Sequence, residues 1–196
     1  MAQDAVRRLP RWVLWTLCLA YVLSGFVGRT PWKAEDMEAF GFMRNLALSM
    51  GPEDISWLKP TLLGQADLDA ALLPYWLGAW AIQLAPSGFA LDAAARLPFM
   101  ALLGLTLAAT WYAVYALART PAAQPVSFAF GGEAQPADYA RAMADGGLLA
   151  LIACLGLARL SHEAAPPLAQ LAFSALLFFA LANLARKRIP ALFGAA

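Results

Sequence analysis

The sequence predicts an all-α polytopic integral membrane protein, with about four transmembrane helices and interfacial helices in a long first periplasmic loop. Of its 196 residues, 61% are hydrophobic and 14% are charged, whereas an ordinary soluble domain has about 45–50% and about 25%. The apolar residues also form runs close to the ~17–25 residues with which a helix crosses a bilayer. These observations argue against a cytosolic globular protein and against a disordered chain.

The charge and the cysteines argue against several functional classes. A formal net charge of +1 leaves no excess of basic residues for nucleic acid. Cys18 and Cys154 lie in separate apolar runs, so the sequence indicates neither a disulfide framework nor a CxxC redox or metal site. The sequence also contains no P-loop, HExxH, Rossmann or nucleophile-elbow motif.

Four apolar stretches are the predicted membrane spans. They cover residues 12–28, 97–117, 146–160 and 168–185. The first follows a basic start, a pattern that is also typical of a signal peptide, but its core is longer than the usual ~7–15 residues and no clear A-x-A site follows, which favours an uncleaved anchor. A fifth apolar stretch, 72–84, is shorter than a span and favours an interfacial or re-entrant helix.

Basic residues at the ends of the spans predict the orientation. They are Arg7, Arg8 and Arg11 before the first span, Arg119 after the second, and Arg186, Lys187 and Arg188 after the fourth. An even number of crossings places all of them on one side, so we expect a protein of the cell inner (plasma) membrane with both termini in the cytoplasm. Residues 29–96 and 161–167 then face the periplasm, and 120–145 form an irregular cytoplasmic loop. We accordingly divide the chain into 1–118, 119–145 and 146–196.

Most acidic residues lie in the first outward segment. A connector as long as 29–71 is usually functional or disordered, and its aromatic residues favour an ordered segment at the membrane surface. Within it, 34–50 has helical periodicity, with apolar residues at spacings of three, four and three: Phe40, Met43, Ala47 and Met50. Asp36 precedes Phe40 by four residues and therefore shares this apolar face.

An acid on an apolar face has two interpretations. Burial of an unpaired carboxylate is costly, so Asp36 needs a partner or a chemical role. Alternatively, Asp36 and Glu35 simply favour the positive end of the helix dipole, by about 0.3–1 kcal/mol. The two carboxylates are also a weak signal for a divalent cation, because adjacent helical positions diverge by about 100°.

The second outward segment contains the single histidine. His162 is adjacent to Glu163, so both outward segments are able to bring ionisable groups to one cavity at the membrane surface. A solvated turn before Pro166 is the simpler alternative. Three cations of the first segment, Lys33, Arg44 and Lys59, either face a phosphate, or pair with nearby acids and snorkel as isolated cations commonly do.

Several short motifs within about residues 12–118 together resemble a known family. They are Asp36 with Phe40, Lys59-Pro60 with Leu62 and Gly64, Leu73-Pro74-Tyr75-Trp76-Leu77, and Ala94-Ala95-Arg96-Leu97-Pro98. In this order they resemble the polyprenyl-phosphate-sugar-dependent glycosyltransferases of the GT-C superfamily, in particular bacterial aminoarabinose transferase and protein mannosyltransferase-like enzymes.

The resemblance implies transfer of a sugar, with inversion, from a polyprenyl-phosphate donor to a lipid or protein acceptor at the periplasmic side. It implies Asp36 as the catalytic carboxylate and Glu35 as its helper, with either residue a candidate metal ligand. It also implies a set of substrate-binding residues: Arg44, Lys59, Tyr75 and Arg96. No cofactor is expected with certainty, although a divalent cation is compatible with the family.

The chain also departs from the family pattern. Ala70-Ala71-Leu72 replaces the usual K-P-P, and Met37 follows Asp36 where the motif often has Glu. Because the family has about a dozen spans, we expect the amino-terminal part of such an enzyme. The alternative is a non-catalytic membrane subunit that binds a lipid or protein partner through its outer loop. A small transporter is less favoured, because no predicted span has a charged residue at its centre.

Overall fold

The computed structural model describes residues 10–49, 57–66, 71–125 and 135–193. The described residues form a mostly helical fold with one short β-hairpin. The helices are α1 (Arg11–Phe26), α2 (Ala34–Leu48), α3 (Leu72–Leu84), α4 (Leu91–Ala118), α5 (Pro136–Ala153), α6 (Leu155–Leu160) and α7 (Pro166–Phe193). The hairpin pairs β1 (Thr61–Leu62) with β2 (Gln65–Ala66) in antiparallel register, and a short 3₁₀ helix covers Pro121–Ala123.

Among the residues that the structure describes, two helices are long and apolar enough to cross a membrane. They are α4, with 28 residues, and the first 20 residues of α7, Pro166–Ala185. The first predicted span forms α1, a shorter apolar helix of 16 residues. The apolar stretch predicted to be interfacial forms α3, which covers Leu72–Leu84 as predicted. The predicted helical fold is therefore confirmed, and two membrane-length helices are present in the described part of the chain.

The third predicted span differs from the expectation at both ends. The helix breaks at Cys154, whose backbone is extended, so 146–160 is divided between α5 and α6. At the amino-terminal end of this span, α5 begins at Pro136, ten residues before the predicted start. The prediction of an irregular loop is therefore wrong for residues 136–145. Proline suits the first turn of a helix, and the following alanines Ala140 and Ala144 are fully buried.

Helix α4 is the centre of the fold and packs against α1, α3, α5 and α7. Its contact with α5 relies on small residues. Ala140 and Ala144 are buried, and a Cβ added to Gly147 would lie 3.3 Å from the side chain of Val114. Small residues at such positions allow membrane helices to approach closely.

Helices α2 and α3 pack together over the first half of α4. The ring of Phe42 on α2 stacks on Tyr75 of α3, with centroids 5.1 Å apart. The indole N–H of Trp76 donates to the carbonyl of Trp57 at 2.8 Å. The main core lies where α2, α3, α4 and the start of α7 meet, around the fully buried Phe99, Met43, Leu46, Leu103 and Leu168.

Candidate functional site

Polar side chains from separate parts of the chain meet beside the end of α1 and the starts of α2, α4 and α7. We call this group the polar cluster. Its members are Tyr21, Arg29, Lys33, Asp36, Arg96, Ser161, His162 and Glu163. It contains two ion pairs and a chain of hydrogen bonds, and it connects both segments that were predicted to face outward.

The first ion pair joins α2 to α4. Asp36 lies in the first turn of α2 and is only 1% exposed, while Arg96 near the start of α4 is 4% exposed. Asp36 Oδ1 accepts a hydrogen bond from the backbone N–H of Ala164 at 3.0 Å. Asp36 Oδ2 lies 3.8 Å from Arg96 Nη2, which is within ion-pair range but too long for a hydrogen bond. Arg96 Nη1 is 3.4 Å from the carbonyl of Phe26, to which it donates.

The gap between these two side chains leaves unused hydrogen-bonding capacity. Asp36 Oδ2 and Arg96 Nη2 are both buried and have no hydrogen-bond partner among the described residues. Unsatisfied buried polar atoms are rare in proteins, because each costs about 1–3 kcal/mol. The pair therefore presents an acceptor and a donor to the same small volume.

The second ion pair joins the segment before α2 to the turn before α7. Lys33 Nζ contacts Glu163 Oε1, and Glu163 is 3% exposed. Arg29 donates from Nη2 to the carbonyl of His162 at 2.8 Å. Arg29 and Lys33 also flank the exposed ring of Trp32, each 5.6 Å from its centroid. The cluster thus contains three cations, which include Arg96, close to two carboxylates.

The third part of the polar cluster joins the turn 161–165 to α1 through hydrogen bonds. Tyr21 and Ser161 have hydroxyl oxygens 3.2 Å apart, and Ser161 Oγ is 3.2 Å from Nδ1 of His162. Nε2 of the same ring is 2.8 Å from the carbonyl of Tyr21, so Nε2 carries the hydrogen and Nδ1 of a neutral ring accepts from the serine. A Cβ added to Gly25 would lie 1.8 Å from an imidazole carbon, so only glycine permits this approach.

The local sequence explains how these groups are placed. An acid in the first turn of α2 is favoured by the positive end of the helix, and the apolar spacing turns Asp36 inward, as predicted. Ala94 and Ala95, which precede Arg96, are buried small residues that bring α4 close to its neighbours. Pro166 begins α7 directly after the turn 161–165, which ends beside Asp36.

The structure unites some of the predicted site residues and separates others. Asp36 and Arg96 are together, whereas Glu35 is exposed. Arg44 and Lys59 are exposed as well, and within the described part of the chain no ion pair or hydrogen bond joins either one to Asp36. Tyr75 is buried against α2 rather than in the cluster.

The two outward segments do meet, through the ion pair between Lys33 and Glu163. Glu163 is buried, so the alternative of a solvated turn is wrong for this residue. The roles of Tyr21, Arg29 and Ser161 were not predicted from the sequence. The sequence did contain one indication of this cluster. The cations Arg29 and Lys33 lie on either side of Trp32, just after the first predicted span.

The described parts of the chain contain no group of three or more His, Cys, Asp or Glu side chains placed to hold a metal ion. In comparisons with known proteins, no family model, curated protein or solved structure matches the chain. The resemblance to the GT-C enzymes therefore stays a prediction from sequence motifs.

Proposed function

We propose that this chain is the amino-terminal part of an inverting membrane glycosyltransferase. The enzyme would move a sugar from a polyprenyl-phosphate donor to a lipid or protein acceptor at the periplasmic side of the inner membrane. The observation that carries the proposal is the buried Oδ2 atom of Asp36, which has no hydrogen-bond partner among the described residues and lies 3.8 Å from Arg96. The motif resemblance supplies the reaction class.

The proposed chemistry gives a role to Asp36 and to the three cations of the polar cluster. The acceptor hydroxyl attacks the anomeric carbon, the bond from that carbon to the phosphate oxygen breaks, and the hydroxyl proton passes to Asp36 Oδ2. A general base must lie within hydrogen-bonding reach of the proton it takes, and a hydroxyl placed beside Oδ2 and Arg96 Nη2 satisfies both atoms. The departing phosphate is an anion, which Arg96, Lys33 and Arg29 would stabilise. Because Asp36 is only 1% exposed, a neighbouring segment would have to move to admit the acceptor, and the turn 161–165 contacts Asp36 through the backbone N–H of Ala164.

The proposed membrane arrangement has four spans, formed by α1, α4, α5 with α6, and α7, and both termini are in the cytoplasm. Large apolar side chains on the outer surface support it. Trp12 and Trp15 of α1 are each 68% exposed, and Leu177 of α7 is 62% exposed, which suits lipid and is unfavourable in water. The polar cluster then lies at the outer ends of α1, α4 and α7.

A second candidate function is a non-catalytic membrane subunit, and the burial of the cluster favours it. Asp36 and Glu163 each have a cationic partner. Ion pairs of this kind are also able to fix the relative positions of helices without any chemistry. In that case the exposed part of the outer loop would bind a lipid or protein partner.

The two candidates predict different results in a transfer assay. The full-length enzyme that carries this chain at its amino-terminal end would receive, in membranes, a polyprenyl-phosphate donor carrying labelled aminoarabinose or mannose, and released polyprenyl phosphate would be measured. We expect Asp36→Asn to lower transfer by about 100-fold or more, the usual contribution of a general base, while donor binding is retained. Glu38→Gln, an exposed acid on α2, is the matched control. Transfer at the wild-type rate by Asp36→Asn would remove this residue from the mechanism, whereas an inactive wild type with a stoichiometric partner would support the subunit.

A further inference from the structure

A groove lies at the opposite end of α4 from the polar cluster. It has a volume of about 370 Å³ and lies between the last turns of α4, the 3₁₀ helix and the first half of α5. Its lining is mostly apolar and includes Val114, Leu117, Ala118, Tyr139 and Met143. None of its lining residues carries a charge.

Arg119 lies in the chain between two residues that line this groove, Ala118 and Thr120, and its side chain is exposed. Its Nη1 donates to the hydroxyl of Tyr115 at 3.3 Å, and its guanidinium carbon lies 5.9 Å from the centroid of the Tyr115 ring. Within the described ranges no carboxylate pairs with Arg119. The described residues therefore provide no carboxylate counter-ion for this charge.

Ring stacking and hydrogen bonds connect the side chain of Arg119 to α5. The Tyr115 ring stacks on Trp111, with centroids 5.2 Å apart and an interplanar angle of 8°. The indole N–H of Trp111 donates to Asp145 of α5 at 2.8 Å, and Asp145 also pairs with Arg141 at 3.9 Å. The orientation of Arg119 is thus linked to the packing of α4 on α5, which also forms the groove.

We infer that the groove binds one anionic phospholipid, with an acyl chain along the apolar lining and the headgroup phosphate at Arg119. The groove lies at one end of a helix that is long and apolar enough to cross a membrane, where basic residues meet anionic headgroups. An acyl chain would cover Met143, which is 46% exposed. A symmetric contact with a second copy would bring two Arg119 charges to the same interface, which disfavours that occupant.

Native mass spectrometry of the purified protein tests the inference. The probe is an equimolar mixture of phosphatidylglycerol and phosphatidylcholine with identical acyl chains. We expect one phosphatidylglycerol to stay bound to the wild type in preference to phosphatidylcholine. Arg119→Gln should lower its retention about fivefold, the effect of one basic residue near an anionic surface, and Met143→Trp should lower it by filling the groove. Arg11→Gln, at an exposed arginine on α1, is the control and should leave it unchanged.

Three results would overturn the inference. Equal retention of the two lipids by the wild type would show that no anion is recognised. The same loss in Arg11→Gln as in Arg119→Gln would show that only overall surface charge matters. A lipid-free dimer that Met143→Trp dissociates would show that the groove is covered by a second copy.

Discussion

Removal of Arg96 from the polar cluster should destabilise the protein strongly. Arg96→Gln leaves the carboxylate of Asp36 buried, with the backbone N–H of Ala164 as its remaining partner. At the observed separation of 3.8 Å and an effective dielectric constant of about 20, the lost attraction is about 4 kcal/mol. Loss of one partner from a buried ion pair typically costs about 3–5 kcal/mol, which agrees. We therefore expect the free energy of unfolding to fall by about 4 kcal/mol.

The measurement is reversible unfolding in mixed micelles with a rising fraction of sodium dodecyl sulfate, followed by helical circular dichroism. Asp36→Asn and the double variant Asp36→Asn/Arg96→Gln complete a thermodynamic cycle. Since the double variant leaves no buried charge unpaired, its loss should be smaller than the sum of the two single losses by at least ~2 kcal/mol. The exposed Arg44→Gln should stay within about 0.5 kcal/mol of the wild type. A similarly small effect of Arg96→Gln, or strict additivity in the cycle, would refute a buried, coupled pair.

Two further perturbations test how the turn before α7 is held. Gly25→Ala should lower the free energy of unfolding by about 1–3 kcal/mol through overpacking, because its Cβ would lie 1.8 Å from an imidazole carbon. Gly104→Ala, in α4 with open space around its Cβ, should instead raise that free energy by about 1 kcal/mol, and equal effects of the two variants would contradict the close contact. Glu163→Gln removes the ion pair with Lys33 and should speed amide hydrogen exchange across the turn 161–165 relative to the wild type. Unchanged exchange there would mean that the ion pair does not hold the turn.

Much of the helical fold could be predicted from apolar runs. The stretch 72–84 is almost entirely apolar, and a proline and a glycine follow it within four residues, so its helix has the predicted bounds. The first half of α5 was missed because its sequence, PADYARAMAD, has too many polar residues for a span. It is nonetheless helical, and the small face formed by Ala140 and Ala144 is buried in the fold. Such burial depends on the neighbouring helices, which no local pattern reveals.

The candidate site was predicted only in part, because contacts between distant segments are likewise not visible in a local sequence pattern. Helical spacing placed Asp36 on the buried face, and the A-A-R-L-P motif singled out Arg96. That these residues share a site with the turn before α7 could not be read from local sequence, because Asp36 and its partner Ala164 are 128 residues apart. Glu35, next to Asp36, points to solvent, because adjacent positions on a helix diverge by about 100°.

Both proposed sites require α4 to cross a membrane, with the polar cluster on the outer side and the groove on the inner side. Single cysteines at Ser87 and Ala122, two exposed positions beyond opposite ends of α4, would be introduced after Cys18 and Cys154 are replaced by alanine. Intact cells would then be treated with a membrane-impermeant maleimide. We expect labelling at position 87 from outside, and labelling at position 122 only after permeabilisation. Labelling of both positions from the same side would show that α4 does not cross the membrane and would contradict both proposals.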